Sequence, residues 1–371
     1  MKTFYHEIQN IDPKQIEQEI SAKTSADVEK ALATAGHSNL EDFKALLSPA
    51  ALPYLEQMAQ ISRRLTQKRF GKTMQLYVPL YLSNECTNHC LYCGFSTKNQ
   101  IKRKTLTDSE ILNEISAIKD LGFEHILLVT GEHEHKSGFE YLQNAINLIK
   151  DKFALISLEV QPLLQEEYAM LAQNKLNTVY VYQETYFEKT YRKYHLQGKK
   201  TDYRFRLETP DRLGKAGIHK IGLGFLMGLE NWRVEAFFLA MHLQYLERKY
   251  WKTKFSISFP RLRPHEGTFS PAFPVGEKEL VQLITAYRLF NENVELSLST
   301  RESEQFRNHA LHIGITAMSA GSSTEPGGYL EQNKALKQFE VNDDRSPEAV
   351  SRMIQEAGYE PVWRNWTKFK E

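Results

Sequence analysis

The segment QLYVPLYLSNECTNHCLYC, residues 75–93, decides how this chain is read. Its first eight residues, Gln75–Leu82, are an apolar, aromatic-rich run of strand length. The residues after it hold every cysteine of the protein, Cys86, Cys90 and Cys93. Short apolar runs bounded by turn signals predict buried strands. Working outward, the signal recurs at His125–Thr130, Ala154–Val160, Thr178–Gln183, His219–Leu223, Thr253–Phe259, Val294–Thr300 and Ile315–Ser319. Helical patterns separate these runs. The best marked precedes His125: Thr107 and Glu110 make a capping box, Ile111, Ile115 and Ile118 share a face, and Gly122 stops it. Further helices are expected over roughly 138–150, 165–173, 203–216, 232–250 and 276–290. Strand–helix alternation requires parallel pairing with helices covering the sheet. Eight units over about 250 residues predict an α/β fold of the TIM-type (βα)8 barrel class. An open doubly wound sheet is the alternative. In a barrel, chemistry collects at the carboxyl ends of the strands, so the motifs should lie directly after the strands.

The expected organisation is a helical region over 1–72, a barrel over 73–322 and a short tail over 323–371. In the first region Ile16, Ile20, Val28, Ala31, Leu32, Leu55, Met58, Ile61 and Leu65 repeat at helical spacing, and Pro13, Pro49 and Pro53 punctuate it. The tail carries one helical pattern, 347–357, and ends in Trp363 and Trp366. Of 371 residues, 41% are hydrophobic and 25% charged, which argues against disorder. Lys+Arg number 47 against 46 Asp+Glu, so no global charge excess points to nucleic acid or an anionic membrane. No apolar stretch approaches the ~18 residues of a membrane span, and the start is polar. A cytoplasmic protein is expected.

Three cysteines so close together are not a disulfide framework. Iron–sulfur cubes are held by thiolates, usually four, so three leave one iron open to a small molecule. Zinc held by the three cysteines and His89 is the competing reading. Structural zinc, however, normally draws ligands from two separated pairs.

C-x3-C-x2-C with an aromatic before the last cysteine resembles the signature of the radical S-adenosylmethionine enzymes. The resemblance implies one 4Fe–4S cluster on Cys86, Cys90 and Cys93, with S-adenosylmethionine chelating the open iron. Reductive cleavage of that sulfonium would then give methionine and a deoxyadenosyl radical. It further implies that Thr130-Gly131-Glu132, ending the second strand, holds the methionine amino group. Glu159, ending the third strand, would face the cofactor, and Arg206 would pair with the methionine carboxylate. Gly222 and Gly224, after the fifth strand, would let the backbone approach the adenine. Glu159 and Arg206 have a structural salt bridge as their alternative reading.

A closer likeness covers nearly the whole chain. The residues Tyr182-Gln-Glu-Thr185-Tyr186, Gly222-Leu-Gly-Phe-Leu-Met-Gly228, Phe259-Pro-Arg-Leu-Arg-Pro264, Ser299-Thr-Arg301-Glu-Ser303, Ser319-Ala-Gly-Ser322, Gly327-Gly328-Tyr329 and Gly358-Tyr-Glu-Pro-Val-Trp363 resemble those of the tyrosine lyases. That implies cleavage of the Cα–Cβ bond of L-tyrosine to 2-iminoacetate (dehydroglycine) and p-cresol, supplying the thiazole of thiamine. The partners implied are thiazole synthase and a flavodoxin- or ferredoxin-type reductant. Arg301 closes the seventh strand, where a guanidinium fork suits an α-carboxylate, with pairing to Glu302 or Glu304 as the alternative. Ser319 and Ser322 come after the eighth strand and can add hydrogen bonds to the same group. Arg261, Arg263 and His265 come after the sixth strand as candidate pocket residues. The tail tryptophans are a candidate contact for the partner, with packing onto the barrel as the competing reading. Hydrogenase-maturation tyrosine lyases carry a second cluster on a cysteine-bearing extension, and this chain has no cysteine after Cys93. A lyase of tryptophan and a non-catalytic metal-binding scaffold remain as alternatives.

Overall fold

The computed structural model describes residues 3–263, 269–330 and 338–364. Eight parallel strands form the centre: Thr73–Ser83, His125–Thr130, Leu155–Glu159, Leu176–Tyr180, Lys220–Leu223, Lys254–Ser258, Glu295–Leu298 and Ala317–Ser319. Each pairs in parallel with the next, and the eighth returns to the first through Gln75↔Ala317 and Tyr77↔Ser319. The sheet is therefore a closed barrel. Closure leaves no free edge, and both faces of each strand are covered, which is why these strands read as near-continuous apolar runs. The second strand is buried along its whole length.

The helices keep to the expected pattern. Asp108–Asp120 begins at Thr107, whose backbone N donates to Glu110 Oε2 at 2.8 Å while its hydroxyl accepts from Glu110 N at 3.4 Å. Phe139–Ile149, Gln165–Gln173, Trp232–Lys249 and Glu277–Phe290 also match. The helix expected over 203–216 is broken into Tyr203–Leu207 and Thr209–Lys215. Pro210, within the first turn of the second, brings no N–H to continue the ladder. Before the barrel come Phe4–Ile8, Pro13–Ser21, Ser25–Ala33, Leu40–Leu47 and Leu55–Phe70. Three of them start on side-chain caps, Asp12, Thr24 and Asn39.

Two features had no strong local signal. His89–Cys90 pairs antiparallel with His195–Gln197, joining the cysteine loop to the loop beyond the fourth strand. Glu360–Val362 pairs in parallel with Thr73–Gln75, beside the part of the first strand that the second does not reach. That places the tail strand at the amino-terminal end of the barrel, opposite the mouth. Trp363 meets Phe123 edge-on at 5.1 Å between ring centres, so this tryptophan packs onto the barrel rather than standing free for a partner. Trp366 lies outside the described residues.

Candidate active site

The loop after the first strand is laid along the end of the second. Gly131 N donates to Ser83 O at 2.8 Å and Thr87 N to Glu132 O at 2.9 Å. Glycine is required here, because a Cβ on Gly131 would lie 2.3 Å from the Glu85 carbonyl oxygen. Arg103 clamps the same loop from outside, donating to the carbonyls of Asn84 (2.7 Å), Phe95 (2.8 Å) and Ser96 (2.7 Å). Sequence reasoning gave this arginine no role. Its partners are backbone atoms, which leave no residue-type signature.

Cys86, Cys90 and Cys93 line one cavity of about 100 Å³, together with Thr130, Gly131, Glu132, Glu159 and Arg206. Burial pushes the Cys86 thiol up to about 11, and it also raises Cys90 and Cys93. Thiolates in such a place need a cationic partner that draws off their protons, which bound iron provides. Thr130 Oγ1 is buried there with no hydrogen-bond partner among the described residues. Three convergent thiols beside an unsatisfied hydroxyl and an arginine fit a cluster with one iron left for a chelating small molecule. Among the described residues, no group of three His, Cys, Asp or Glu side chains is arranged to hold a single metal ion.

Behind the thiols stands a buried ionic wall. Arg206 reaches Glu132 at 2.9 Å and Glu184 at 3.3 Å, and its Nε donates to Tyr182 O at 2.7 Å. Lys200 reaches Glu184 at 2.7 Å. Burial would raise the Glu184 carboxyl, but Lys200 and Arg206 outweigh it and hold it below its usual range. Glu184 sits at φ 70°, a left-handed conformation that costs a non-glycine residue energy and is kept only when surroundings dictate it. Glu184 and Lys200 were absent from the sequence-based site. The strained glutamate lies within Tyr182–Tyr186, but which way it turns is decided by Arg206 and Lys200.

Two smaller cavities adjoin this one at the barrel mouth, and all three share Glu159 and Tyr182. The innermost is lined by Arg301, Ser319 and Ser322, so the structure brings these three together. Arg301 has no carboxylate within ion-pair distance among the described residues. Glu302 is taken by Arg261 and by Arg263 at 3.0 Å, and Glu304 by Arg345 at 3.3 Å. The Arg301 guanidinium instead rests 3.5 Å from the Phe339 ring centre, free to meet an anion. Ser319 Oγ accepts from Thr300 N at 3.1 Å, which fixes the backbone beside Arg301, and its side chain also hydrogen-bonds that of Tyr77. Ser322 Oγ is buried and unpartnered among the described residues. Burial raises the Glu159 carboxyl, and Arg301 offsets part of that rise.

Not every candidate reaches the cavity. Arg263 lines it, whereas Arg261 is spent on Glu302 and on the Val275 carbonyl at 2.8 Å, and His265 lies outside the described residues. Gly222 and Gly224 make room for protein: Cβ atoms there would lie 1.9 Å from the Tyr180 ring and 2.8 Å from the Tyr182 ring.

Three convergent thiols at the carboxyl end of a closed parallel barrel define a protein of the radical S-adenosylmethionine class. The family model described as the Radical SAM superfamily matches residues 80–240, and the Biotin and Thiamin Synthesis associated domain matches 258–360. The chain is 51% identical over 370 residues to 2-iminoacetate synthase of Escherichia coli (strain K12), covering 100% of this chain and 98% of that one. It is likewise 51% identical over 367 residues to 2-iminoacetate synthase of Salmonella typhimurium, with 99% and 97% covered. The chain belongs to the 2-iminoacetate synthase family. Among solved structures it resembles HydG, a maturase of the FeFe-hydrogenase, at TM-score 0.90 and 31% identity over 96% of this chain and 80% of that one. Methylornithine synthase, at TM-score 0.72 and 20% identity over 91% of this chain and 97% of that one, shares the fold.

Proposed function

We propose that this chain cleaves the Cα–Cβ bond of L-tyrosine to 2-iminoacetate and p-cresol, consuming S-adenosylmethionine to 5′-deoxyadenosine and methionine. One observation carries the reading: three adjoining cavities share Glu159 and Tyr182, the three thiols lining one of them and Arg301, Ser319 and Ser322 another. The bound cluster and S-adenosylmethionine supply the radical that takes a hydrogen from the substrate amine. Cys86, Cys90 and Cys93 hold the cluster. Thr130, Gly131, Glu132 and Arg206 receive the methionine end of S-adenosylmethionine, with Glu184 and Lys200 fixing that arginine.

Arg301 takes the tyrosine carboxylate as a fork, and the hydroxyls of Ser319 and Ser322 donate to the same group. Glu159, which borders all three cavities, faces cofactor and substrate at once. Its carboxylate accepts a proton from the substrate ammonium, so that the amine is neutral when its hydrogen is abstracted. The walls of Tyr77, Tyr81, Tyr182 and Phe339 keep water from the imine product, which water would hydrolyse. That product passes to thiazole synthase, and a flavodoxin- or ferredoxin-type protein supplies the electron.

The test is an anaerobic assay with reconstituted protein, reductant, S-adenosylmethionine and tyrosine, read by chromatography. Release of p-cresol with 5′-deoxyadenosine is expected. Turnover of tryptophan but not tyrosine would reassign the substrate, and a colourless protein carrying one zinc would replace the lyase by a scaffold.

A further inference from the structure

We infer that the surface over the cysteine loop is a docking site for an acidic one-electron carrier protein. The inference rests on the function proposed above, because that reaction consumes an electron the chain must obtain from outside. Two segments build the surface, residues 89–104 and 187–200. The antiparallel pair His89–Cys90 with His195–Gln197 joins them, as do Leu91 N donating to Tyr194 O at 3.1 Å and Lys200 N donating to Asn88 Oδ1 at 3.0 Å. The two segments hold nine Lys and Arg against one carboxylate, Glu188. Of these, Lys104 pairs with Glu110 at 3.0 Å, Lys200 with Glu184 at 2.7 Å, and Arg103 is held by backbone carbonyls, in a chain whose net charge is +1.

The cationic excess reaches solvent. Lys98, Lys102, Lys189 and Lys193 are exposed and have no salt bridge among the described residues. Arg192 is occupied by Glu188 at 2.7 Å, and Lys199 pairs with Glu134. Within this rim lie two exposed leucines, Leu91 at 38% and Leu196 at 52%. Each directly follows a buried residue in the chain, Leu91 after Cys90 and Leu196 after His195. Electron transfer weakens steeply with distance, which makes this face the productive approach. Short-lived redox complexes use small interfaces, and complementary charge around the contact steers encounter. On contact one electron passes from the reduced carrier to the cluster. The carrier is oxidised, the cluster is reduced, and no atom or proton moves.

The holoenzyme is tested with reduced flavodoxin as the probe carrier. The double variant Lys98→Glu/Lys193→Glu reverses the rim charge, and Leu196→Asp alone removes apolar contact. Each should raise the KM for flavodoxin at least tenfold and weaken calorimetric binding of oxidised flavodoxin to match, with wild-type affinity falling as salt rises. The rate driven by sodium dithionite should stay at the wild-type value. Unchanged flavodoxin KM and affinity would overturn the inference, as would an equal loss of the dithionite-driven rate. It would also be overturned if an RNA oligonucleotide bound the rim while flavodoxin binding ignored both changes. Absence of p-cresol from the wild type with dithionite would instead refute the proposed reaction, leaving the binding measurement to judge the surface.

Discussion

Cys86, Cys90 and Cys93 are costly residues to bury as thiolates, and burial raises all three thiols. Only a cationic centre makes that arrangement favourable, so each cysteine should be indispensable to the cluster. Cys90→Ala is expected to lose bound iron and labile sulfide together with the visible absorption of the reconstituted protein. A full iron complement in that variant would remove Cys90 from the ligand set. Arg301 answers to a different measurement, because its guanidinium has no ion pair among the described residues and lines the cavity that also holds Ser319 and Ser322. Arg301→Lys keeps the charge but loses the fork, at a cost of ~1.5–3 kcal/mol for a charge-assisted contact. Tyrosine affinity should therefore fall roughly ten- to a hundredfold while cluster content stays at wild type. Failure to assemble the cluster would make Arg301 a structural residue.

Among the elements, the loop after the fourth strand carries the strain. Glu184 is held at φ 70°, and the next residues, Thr185 and Tyr186, are tied to helix Trp232–Lys249 through Glu235. Glu235 accepts from Tyr186 N at 2.8 Å and bonds the Thr185 hydroxyl. Burial pushes its carboxyl up to about 8 from an ordinary 4.5. The folded chain therefore keeps a proton that the unfolded chain releases above its ordinary value. Stability from this group is complete below about pH 4.5 and is lost as pH rises through about 8. The loss is on the order of 5 kcal/mol at most, by the energy of a pKa difference. Urea midpoints of the wild type should fall between pH 6 and 9. Glu235→Gln, which imitates the protonated side chain in shape and hydrogen bonding, should abolish that part of the fall. An identical pH dependence in the two proteins would mean that Glu235 is ionised throughout.

On the scale of the whole molecule, the tail serves both ends of the barrel: Phe339 lines the mouth beside Arg301, and the last described residues close the opposite end. Glu360–Val362 extends the sheet beside Thr73–Gln75, and Trp363 covers Phe123. Trp363→Ala should cost ~2 kcal/mol, less than a fully buried tryptophan because this one is half-buried. The expected result is a lowered thermal midpoint with the tyrosine KM unchanged. Unchanged stability would mean that the contact with Phe123 adds nothing.

The sequence by itself determined the eight strands, the capped helices between them and the three-cysteine loop. Each is written in neighbouring residues: apolar runs for strands buried on both faces, Thr107 with Glu110 for a helix start, three thiols in eight positions. Placing Arg301, Ser319 and Ser322 at or just beyond the ends of the seventh and eighth strands was also legible, because a barrel gathers the carboxyl ends of its strands around one mouth. Tertiary structure alone decided which charges meet. Glu132, Glu184, Lys200 and Arg206 form one largely buried network across 74 residues of chain, and Arg301 has no ion pair among the described residues because Arg261 and Arg263 claim Glu302. Closure of the barrel likewise put Tyr180 and Tyr182 against Gly222 and Gly224, and it brought a three-residue tail strand to the first strand. Strand and helix periods are local and survive in a linear reading. Ion pairing, close packing and short strand addition depend on distances between segments far apart in the chain, and these exist only once the barrel has closed.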